Sequence, residues 1–243
     1  MTRPRKVRLS SKSISRVAEV ATVVAICLLT PGCGNRAAVE TSTPLHESAR
    51  AKDVVESLQA QYHFTSVAPS IGGGPQRTTE LPVLSPPEIS QFLQKGPHVV
   101  PMRGPGTVSF AAVTFGSRST DDIVLQDLKS GLTISAHLRD AVDVRPELGS
   151  GYLVYLNAFP NGGKILRKAQ FSGSEDFITY EVAPASADLV YKIKLGTGVA
   201  GIRHVSNTLE FLDSGGAPRL RIDPPFIVGA DNNRVEARLA LEG

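Results

Sequence analysis

Two pairs of adjacent carboxylates are the first residues in this sequence that could carry out chemistry, Asp121-Asp122 and Glu175-Asp176. A glycoside hydrolase needs two carboxyl groups about 5–10 Å apart in one cleft, and calcium is bound by carboxylate oxygens. Both pairs stand where the sequence predicts loops, so solvated turn residues are the favoured interpretation. A secreted hydrolase that uses an acidic pair, and a calcium site at Glu175-Asp176, stay open as alternatives.

Other residue types associated with catalysis or metal binding form no recognisable pattern. The G-x-S-x-G sequence of a serine nucleophile is missing. No two of the histidines have the spacing of metal ligands. The sequence therefore predicts no metal, no cofactor and no catalytic residue, and we expect a non-enzymatic protein. The histidines are His46, His63, His98, His137 and His204.

One glycine-rich segment, residues 196–201, matches the G-x-G-x-x-G pattern of dinucleotide-binding proteins. In a dinucleotide fold the last glycine opens a helix whose N-terminus binds the pyrophosphate. The residues that follow, Ile202 to Thr208, are β-branched and polar and lack a helical stripe. We therefore expect a glycine-rich loop between strands, without a cofactor.

Aromatic residues are scattered through the predicted strands, and an exposed subset could stack on sugar rings. Aromatic residues in strands more often belong to the core. A carbohydrate-binding module of a secreted surface protein therefore stays open as an alternative function. The aromatic residues concerned are Tyr152, Tyr155, Phe159, Phe171, Phe177, Tyr180, Tyr191 and Phe211.

Residues 1–32 have the three parts of a bacterial export signal. Six cations lie within the first 16 residues, a mostly apolar run of ten residues follows from Val20 to Leu29, and Gly32 precedes Cys33. A transmembrane helix needs about 20 apolar residues, so this run is too short to span a bilayer. The segment therefore predicts export.

The residues before Cys33 resemble the lipobox of bacterial lipoproteins, in which a small residue and a nearby leucine precede a cysteine. In that family the thiol receives a diacylglycerol, and cleavage makes the cysteine the new N-terminus. Leu29 lies four residues before Cys33 instead of the usual three, and Pro31 intervenes, so simple secretion stays open. No cysteine follows Cys33, and Cys27 would leave with the signal, which favours an acyl-attachment site. The resemblance implies a membrane-anchored protein at the outer membrane or cell surface.

The positive charge of the chain belongs to this targeting segment. The formal net charge is +3, and residues 1–32 contain six cations and one acid, so the remaining chain carries −2. Nucleic-acid binding is driven largely by lysine and arginine contacts to phosphates, and the remaining chain has no surplus of them. We expect an envelope protein or a polysaccharide as partner, and no nucleic acid.

Behind the signal, the sequence predicts a tether with short helices and a Pro/Gly-rich linker over residues 33–97, then a β-domain over residues 98–243. Apolar residues from Glu47 to Tyr62 have three- and four-residue spacing, which predicts a helix. Ser85-Pro86-Pro87-Glu88 has a capping-box pattern, which predicts a second helix that ends near Lys95.

From residue 98 onward, strand and turn signals recur at intervals of about 8–12 residues. Leu132 to Leu138 alternates apolar and polar residues, the period of a strand with one buried face. Strands without helical patterns between them indicate an antiparallel sandwich or a similar layered sheet. The predicted fold class is mainly β, sandwich-like, with one or two short N-terminal helices.

Several segments near the C-terminus have a familiar order: Glu175 to Phe177, Ala187 to Tyr191, Gly198 to Arg203, Asn207 to Asp213 and Pro218 to Pro225. They resemble an N-terminal β-module of large surface proteins from gliding, predatory soil bacteria. Such proteins often carry kelch or related repeats behind the module, and we expect none in this chain. The resemblance implies a surface location and a β-architecture, and it assigns no functional residues.

Overall fold

The computed structural model describes residues 5–10, 20–26, 42–68, 77–184, 186 and 188–242. Within them the chain is mainly β with one short helix, which confirms the predicted fold class. The helix, α1, spans Ala49–Gln61. The strands are β1 Arg5–Ser10, β2 Val20–Ile26, β3 Ser42–Pro44, β4 His63–Ala68, β5 Arg77–Pro82, β6 Phe92–Lys95, β7 His98–Pro101, β8 Ala111–Gly116, β9 Ile123–Asp127, β10 Thr133–Leu138, β11 Glu147–Gly149, β12 Tyr152–Tyr155, β13 Lys164–Gln170, β14 Gly173–Tyr180, β15 Asp188–Leu195, β16 Gly201–Val205, β17 Thr208–Leu212, β18 Pro218–Ile222, β19 Phe226–Gly229, β20 Arg234–Glu236 and β21 Arg238–Glu242.

Two antiparallel sheets contain most of these strands. The large sheet has nine strands in the order β21-β1-β15-β10-β9-β8-β7-β6-β3. The central sheet has seven strands in the order β11-β12-β13-β14-β2-β19-β20. A three-stranded sheet, β16-β17-β18, and the hairpin β4-β5 complete the described structure.

The described elements form three layers, with the central sheet in the middle. One face of the central sheet packs against the large sheet through side chains that include Leu153, Ile165, Ile178, Val113, Leu125 and Ile134. The other face packs against α1 and the segment after β5, through side chains that include Val154, Leu166, Phe177, Ala51, Val55 and Leu84. The central sheet is therefore covered on both faces, and strand β12 is buried at every position.

Strand β10 confirms the predicted period of two. Ile134, Ala136 and Leu138 are buried against the central sheet, whereas Ser135 and His137 are half-buried on the outer face. Apolar side chains at every second position therefore fix which face of the large sheet meets the core.

Helix α1 confirms the helix predicted from the stripe between Glu47 and Tyr62. Its N-cap is Ser48, whose hydroxyl accepts a hydrogen bond from the Ala51 amide and donates one to Glu147 on β11. The helix lies close to β11 because Gly149 has no side chain. A Cβ at Gly149 would lie 2.3 Å from the carbonyl carbon of Ala51.

The second helix, predicted from the capping-box pattern at Ser85, is wrong, because both capping residues make tertiary contacts instead. The Ser85 hydroxyl accepts a hydrogen bond from Lys168 Nζ at 2.8 Å. The Glu88 carboxylate accepts one from the Phe171 amide at 2.8 Å. The chain runs on as strand β6, which turns Phe92 into the core.

Two N-terminal strands lie inside the sheets. Strand β1 pairs with β15 and β21, and β2 pairs with β14 and β19. Strand β2 belongs to the apolar run that predicts an export signal, and its many β-branched residues also favour a strand. Cys33 and residues 34–41 of the predicted tether lie outside the described residues. The one described helix is too short and too polar to cross a bilayer.

Candidate functional site

The acidic pair Glu175-Asp176 lies in the middle of β14, and not in the loop that the sequence predicts. Successive side chains of a strand point to opposite faces, so the two carboxylates lie on different sides of the central sheet. Each pairs with the residue directly opposite on β13: Glu175 with Lys168 at 2.6 Å, and Asp176 with Arg167 at 3.3 Å. This arrangement rules the pair out as the two carboxylates of a glycosidase and as joint ligands of one calcium ion.

Arg167 and Asp176 form an ion pair in the core between the two sheets, where their side chains are 0% and 1% exposed. The Tyr191 hydroxyl, from the large sheet, donates a hydrogen bond to Asp176 at 3.2 Å. The guanidinium carbon of Arg167 lies 4.8 Å from the ring centre of Tyr155. Burial raises the pKa of Asp176, although the Arg167 guanidinium opposes this effect. The hydrogen bond from Tyr191 to Asp176 thus links the large sheet to the central sheet.

Several buried polar atoms of this ion pair and of the nearby Ser174 have no hydrogen-bond partner among the described residues. They are both terminal nitrogens of Arg167, Oδ1 of Asp176 and the Ser174 hydroxyl. A buried polar group without a partner costs about 1–3 kcal/mol. Because the side chains of the ion pair are almost fully buried, a substrate has no access to them in this structure.

Lys168 and Glu175 lie on the opposite face, beneath the segment after β5. Lys168 is 1% exposed, and its ammonium lies 5.5 Å from the ring centre of Phe177. Ser85 accepts two hydrogen bonds from the central sheet. Lys168 donates one to its hydroxyl, and the Tyr152 hydroxyl donates the other to its carbonyl oxygen at 2.5 Å. These hydrogen bonds therefore hold the segment before β6 against the central sheet.

The other acidic pair lies in the loop between β8 and β9, as predicted. Asp121 accepts a backbone hydrogen bond within this loop. Asp122 contacts three side chains on the outer face of the large sheet: His137 Nδ1 at 2.6 Å, Lys194 Nζ at 2.8 Å and the Ser135 hydroxyl at 3.0 Å. Partial burial acts to raise the pKa of Asp122, but the hydrogen bonds from these three side chains outweigh it and lower that pKa.

Asp122, His137 and Ser135 have the residue types of a serine-nucleophile triad without its geometry. The Ser135 hydroxyl is hydrogen-bonded to the carboxylate of Asp122, which is itself paired with Lys194. A nucleophilic serine needs its hydrogen bond to the imidazole, which takes the proton. The cluster is therefore a polar network on the sheet surface.

The glycine-rich segment is a loop that leads into strand β16, as predicted, and no described helix follows it. The Gly196 amide donates a hydrogen bond to the Thr133 carbonyl at 2.9 Å. A Cβ at Gly196 would lie 2.2 Å from the Thr133 hydroxyl oxygen. This glycine therefore lets the loop approach strand β10 closely, and the loop offers no helix N-terminus to a pyrophosphate.

The aromatic residues do not form an exposed platform in the described part of the chain. The exposed large hydrophobic side chains there belong to valines and one methionine. Two of the rings, Phe171 and Tyr180, pack half-buried against the core between the sheets. The other rings are buried: Tyr152, Tyr155, Phe159, Phe177, Tyr191 and Phe211.

An open cleft of 420 Å³ lies between α1 and one end of strands β13 and β14. In the cleft, Lys164 Nζ lies 2.5 Å from Glu181 Oε1, and this contact lowers the pKa of Glu181. The Thr179 hydroxyl is buried there without a partner among the described residues. Ligand pockets usually measure about 300–1,000 Å³, so the cleft is large enough for a small polar ligand. Helix α1 contributes Asp53, Ser57 and Gln61 to the lining.

Among the described residues, no group of three or more His, Cys, Asp or Glu side chains is arranged to bind a metal ion. Comparisons with protein-family profiles, with curated proteins and with solved structures find no match to this chain.

Proposed function

We propose that this chain is an exported bacterial envelope lipoprotein, anchored through Cys33, whose β-domain is a non-enzymatic interaction module. The observation that carries the proposal is the order of cationic segment, apolar run, small residue and cysteine within residues 1–33. Cys33 is the one cysteine outside the apolar run. Two or three acyl chains would anchor the protein firmly, because each buried CH₂ contributes about 0.8 kcal/mol.

The positions of the charged residues favour binding over hydrolysis. Glu175 and Asp176 are each used in an ion pair within the layers. Asp122 is engaged by three neighbouring side chains on an outer sheet face. None of these carboxylates lines the cleft beside α1. An acidic-pair hydrolase therefore has no support from the geometry of these residues.

Intact mass and the N-terminal peptide of the protein from its native membrane fraction test the anchor. We expect an acylated Cys33 at the N-terminus, and we expect a Cys33→Ser variant to move to the soluble fraction. A Cys27→Ser variant is the control and should stay anchored, because Cys27 lies in the segment that is removed. An unmodified N-terminus, or a Cys33→Ser variant that stays on the membrane, would overturn the proposal.

The cleft beside α1 favours a second candidate function, binding of a short polysaccharide segment through polar contacts. The Lys164–Glu181 ion pair and the polar side chains of Asp53, Ser57 and Gln61 supply the hydrogen-bonding groups. Calorimetric titration with cell-wall glycan fragments tests this function, and we expect a Lys164→Met variant to lose at least tenfold in affinity. Lys129→Met, at an exposed turn, should bind normally. If no fragment shows saturable binding, this function is ruled out.

A further inference from the structure

Strand β2 lies between β14 and β19 in the middle of the central sheet, and the position between these two strands is called the slot. It pairs with β14 over seven positions, from Ser174 opposite Ile26 to Tyr180 opposite Val20. It pairs with β19 over four positions, and Phe226 lies opposite Val23. Because β14 and β19 are both antiparallel to β2, they run parallel to one another, about 10 Å apart.

Removal of the export signal would empty this slot, so the inference rests on the proposed function. A mature chain that begins at Cys33 lacks both β1 and β2, and the loss of β2 exposes two facing strand edges in the central sheet. The β14 edge includes Phe177 and Ile178, which are 1% and 0% exposed in the complete sheet. Unpaired backbone groups beside buried apolar residues are costly, and such an edge is a template for another strand.

The layers on both sides of the slot define what can fill it. Ile178 contacts the core between the sheets, whereas Phe177, Phe226 and Val228 contact the core beneath α1. An occupant therefore needs apolar residues at odd and at even positions. A mostly apolar run rich in β-branched residues meets this requirement, and the β2 sequence Val-Ala-Thr-Val-Val-Ala-Ile is such a run.

The chain that remains after cleavage does not supply such a segment nearby. Residues 34–41 include Asn35, Arg36 and Glu40, whose side chains would be costly between two apolar layers. Ser42–Pro44 already pairs with β6 at the far edge of the large sheet. Direct closure of the slot would also require β19 to leave the core beneath α1, where Phe226 and Val228 are buried.

We propose that the mature protein is a strand acceptor: an extended, apolar, β-branched segment of another polypeptide inserts between β14 and β19. The segment would cover the seven positions of β14 that pair with β2 and would run antiparallel to both neighbours. Backbone hydrogen bonds supply the affinity, and the apolar positions on the two faces supply the selectivity. The partner is thus a protein with an exposed or terminal strand.

A peptide with the β2 sequence Val-Ala-Thr-Val-Val-Ala-Ile, flanked by lysines for solubility, is the probe for the mature protein purified from membranes. We expect saturable one-to-one binding and at least tenfold slower amide hydrogen exchange over Ser174 to Tyr180. The control peptide carries proline at the position of Val23, opposite both Phe177 and Phe226, and should bind at least tenfold more weakly.

Disulfide trapping tests the register. Because no cysteine follows Cys33, a Ser174→Cys variant has a single free thiol once Cys33 is acylated. A probe with cysteine at the position of Ile26 should cross-link to it, since Ile26 lies opposite Ser174. A probe with cysteine at the position of Val20, at the other end of the strand, should not.

The outcomes separate this inference from the export proposal. An N-terminus at Met1 would overturn both, because the slot would never empty. A mature chain that begins at Cys33, with β14 amides already protected and no peptide binding, would overturn the strand acceptor alone. A mature dimer that the peptide does not dissociate would do the same, since a second copy would fill the slot. If the mature chain is unfolded alone, the peptide must restore its fold, and failure to do so counts against the acceptor.

Discussion

Arg167 and Asp176 place two opposite charges inside the core, where each charge depends on the other. We expect an Asp176→Asn substitution to lower the free energy of unfolding by about 3–5 kcal/mol, because it leaves the Arg167 guanidinium buried without a counter-charge. The double substitution Arg167→Met with Asp176→Leu removes both charges and should be at most about 1 kcal/mol less stable than the native chain. Urea unfolding of the three proteins measures these differences.

The exposed pair Arg139–Asp140, at 2.6 Å, is the matched control for this experiment. An Asp140→Asn substitution should change the free energy of unfolding by less than about 1 kcal/mol, since exposed ion pairs contribute little. If the double core variant is as unstable as Asp176→Asn, the contacts of the ion pair with Tyr155 and Tyr191, rather than charge balance, stabilise this part of the core.

Asp122 makes the stability of the large sheet depend on pH. Its pKa in the folded chain is lowered, so its contribution is present above its ordinary pKa of 3.8 and is lost as pH falls through the folded value. We expect Asp122→Asn to cost about 0.5–1 kcal/mol at neutral pH, and the difference from the native chain should shrink below about pH 3.8. Thermal unfolding between pH 2.5 and 7 measures this.

High salt is the control for the Asp122 prediction, because the side chains of Lys194 and Asp122 are 57% and 28% exposed. Salt ions therefore reach this ion pair, and the Debye length is about 3 Å at 1 M ionic strength. The difference between the native chain and Asp122→Asn should therefore be smaller in 1 M sodium chloride. A difference that stays constant from pH 7 to pH 2.5 would mean that ionisation of Asp122 does not contribute.

A strand or helix with one buried face has a periodic pattern of apolar residues, and the sequence predicts such elements directly. Strand β10 and helix α1 are of this kind. Strand β13 has no such alternating pattern, because both of its faces are covered and because Arg167 and Lys168 resemble surface residues. A signal was present: Lys168 and Arg167 stand as far before the turn at Phe171-Ser172 as Glu175 and Asp176 stand after it. Opposite charges at equal distances from a turn predict a hairpin register.

The prediction of a second helix is wrong for a related reason. The capping-box pattern at Ser85 is a local signal, but its two side chains bond to Lys168 and to the Phe171 amide, which are distant in sequence. Prediction of the candidate site from the sequence meets the same difficulty. The sequence could not show that Glu175 and Asp176 point to opposite faces, because that depends on their lying in a strand.

The position of α1 on strand β11 depends on a single glycine. A Cβ at Gly149 would meet the backbone of Ala51 and Lys52 at 2.3 and 2.5 Å, so the helix would have to move. We expect Gly149→Ala to lower the free energy of unfolding by about 1–3 kcal/mol, the usual cost of overpacking. Chemical denaturation measures the change, and amide exchange in α1 should increase.

Gly104→Ala is the control for this substitution. A Cβ at Gly104 would have only the Thr107 hydroxyl oxygen within 4 Å, at 3.5 Å, so the change should be nearly neutral. Equal stability of Gly149→Ala and Gly104→Ala would show that α1 is not fixed by its contact with β11.

At the scale of the whole molecule, the N-terminal segment contributes one strand to each large layer of the described structure. Strand β1 completes the large sheet between β15 and β21, and β2 completes the central sheet between β14 and β19. In the function proposed above, the same segment is an export signal. Under that proposal, cleavage before Cys33 would remove one strand from each sheet, which would give export a direct structural consequence.

Proline at position 23 tests this consequence in the unprocessed chain, produced in a cytosol where the signal is not removed. Val23 lies opposite Phe177 on one side and Phe226 on the other. Proline there removes a backbone donor from an inner strand, a place where proline is rarely found. We expect Val23→Pro to lower the Tm by about 5–10 °C, the effect of a lost and unsatisfied ladder hydrogen bond. Differential scanning calorimetry measures the shift. Ala38→Pro, in the predicted tether, should leave the Tm unchanged, and an equal Tm for the native chain and Val23→Pro would show that β2 does not stabilise the central sheet.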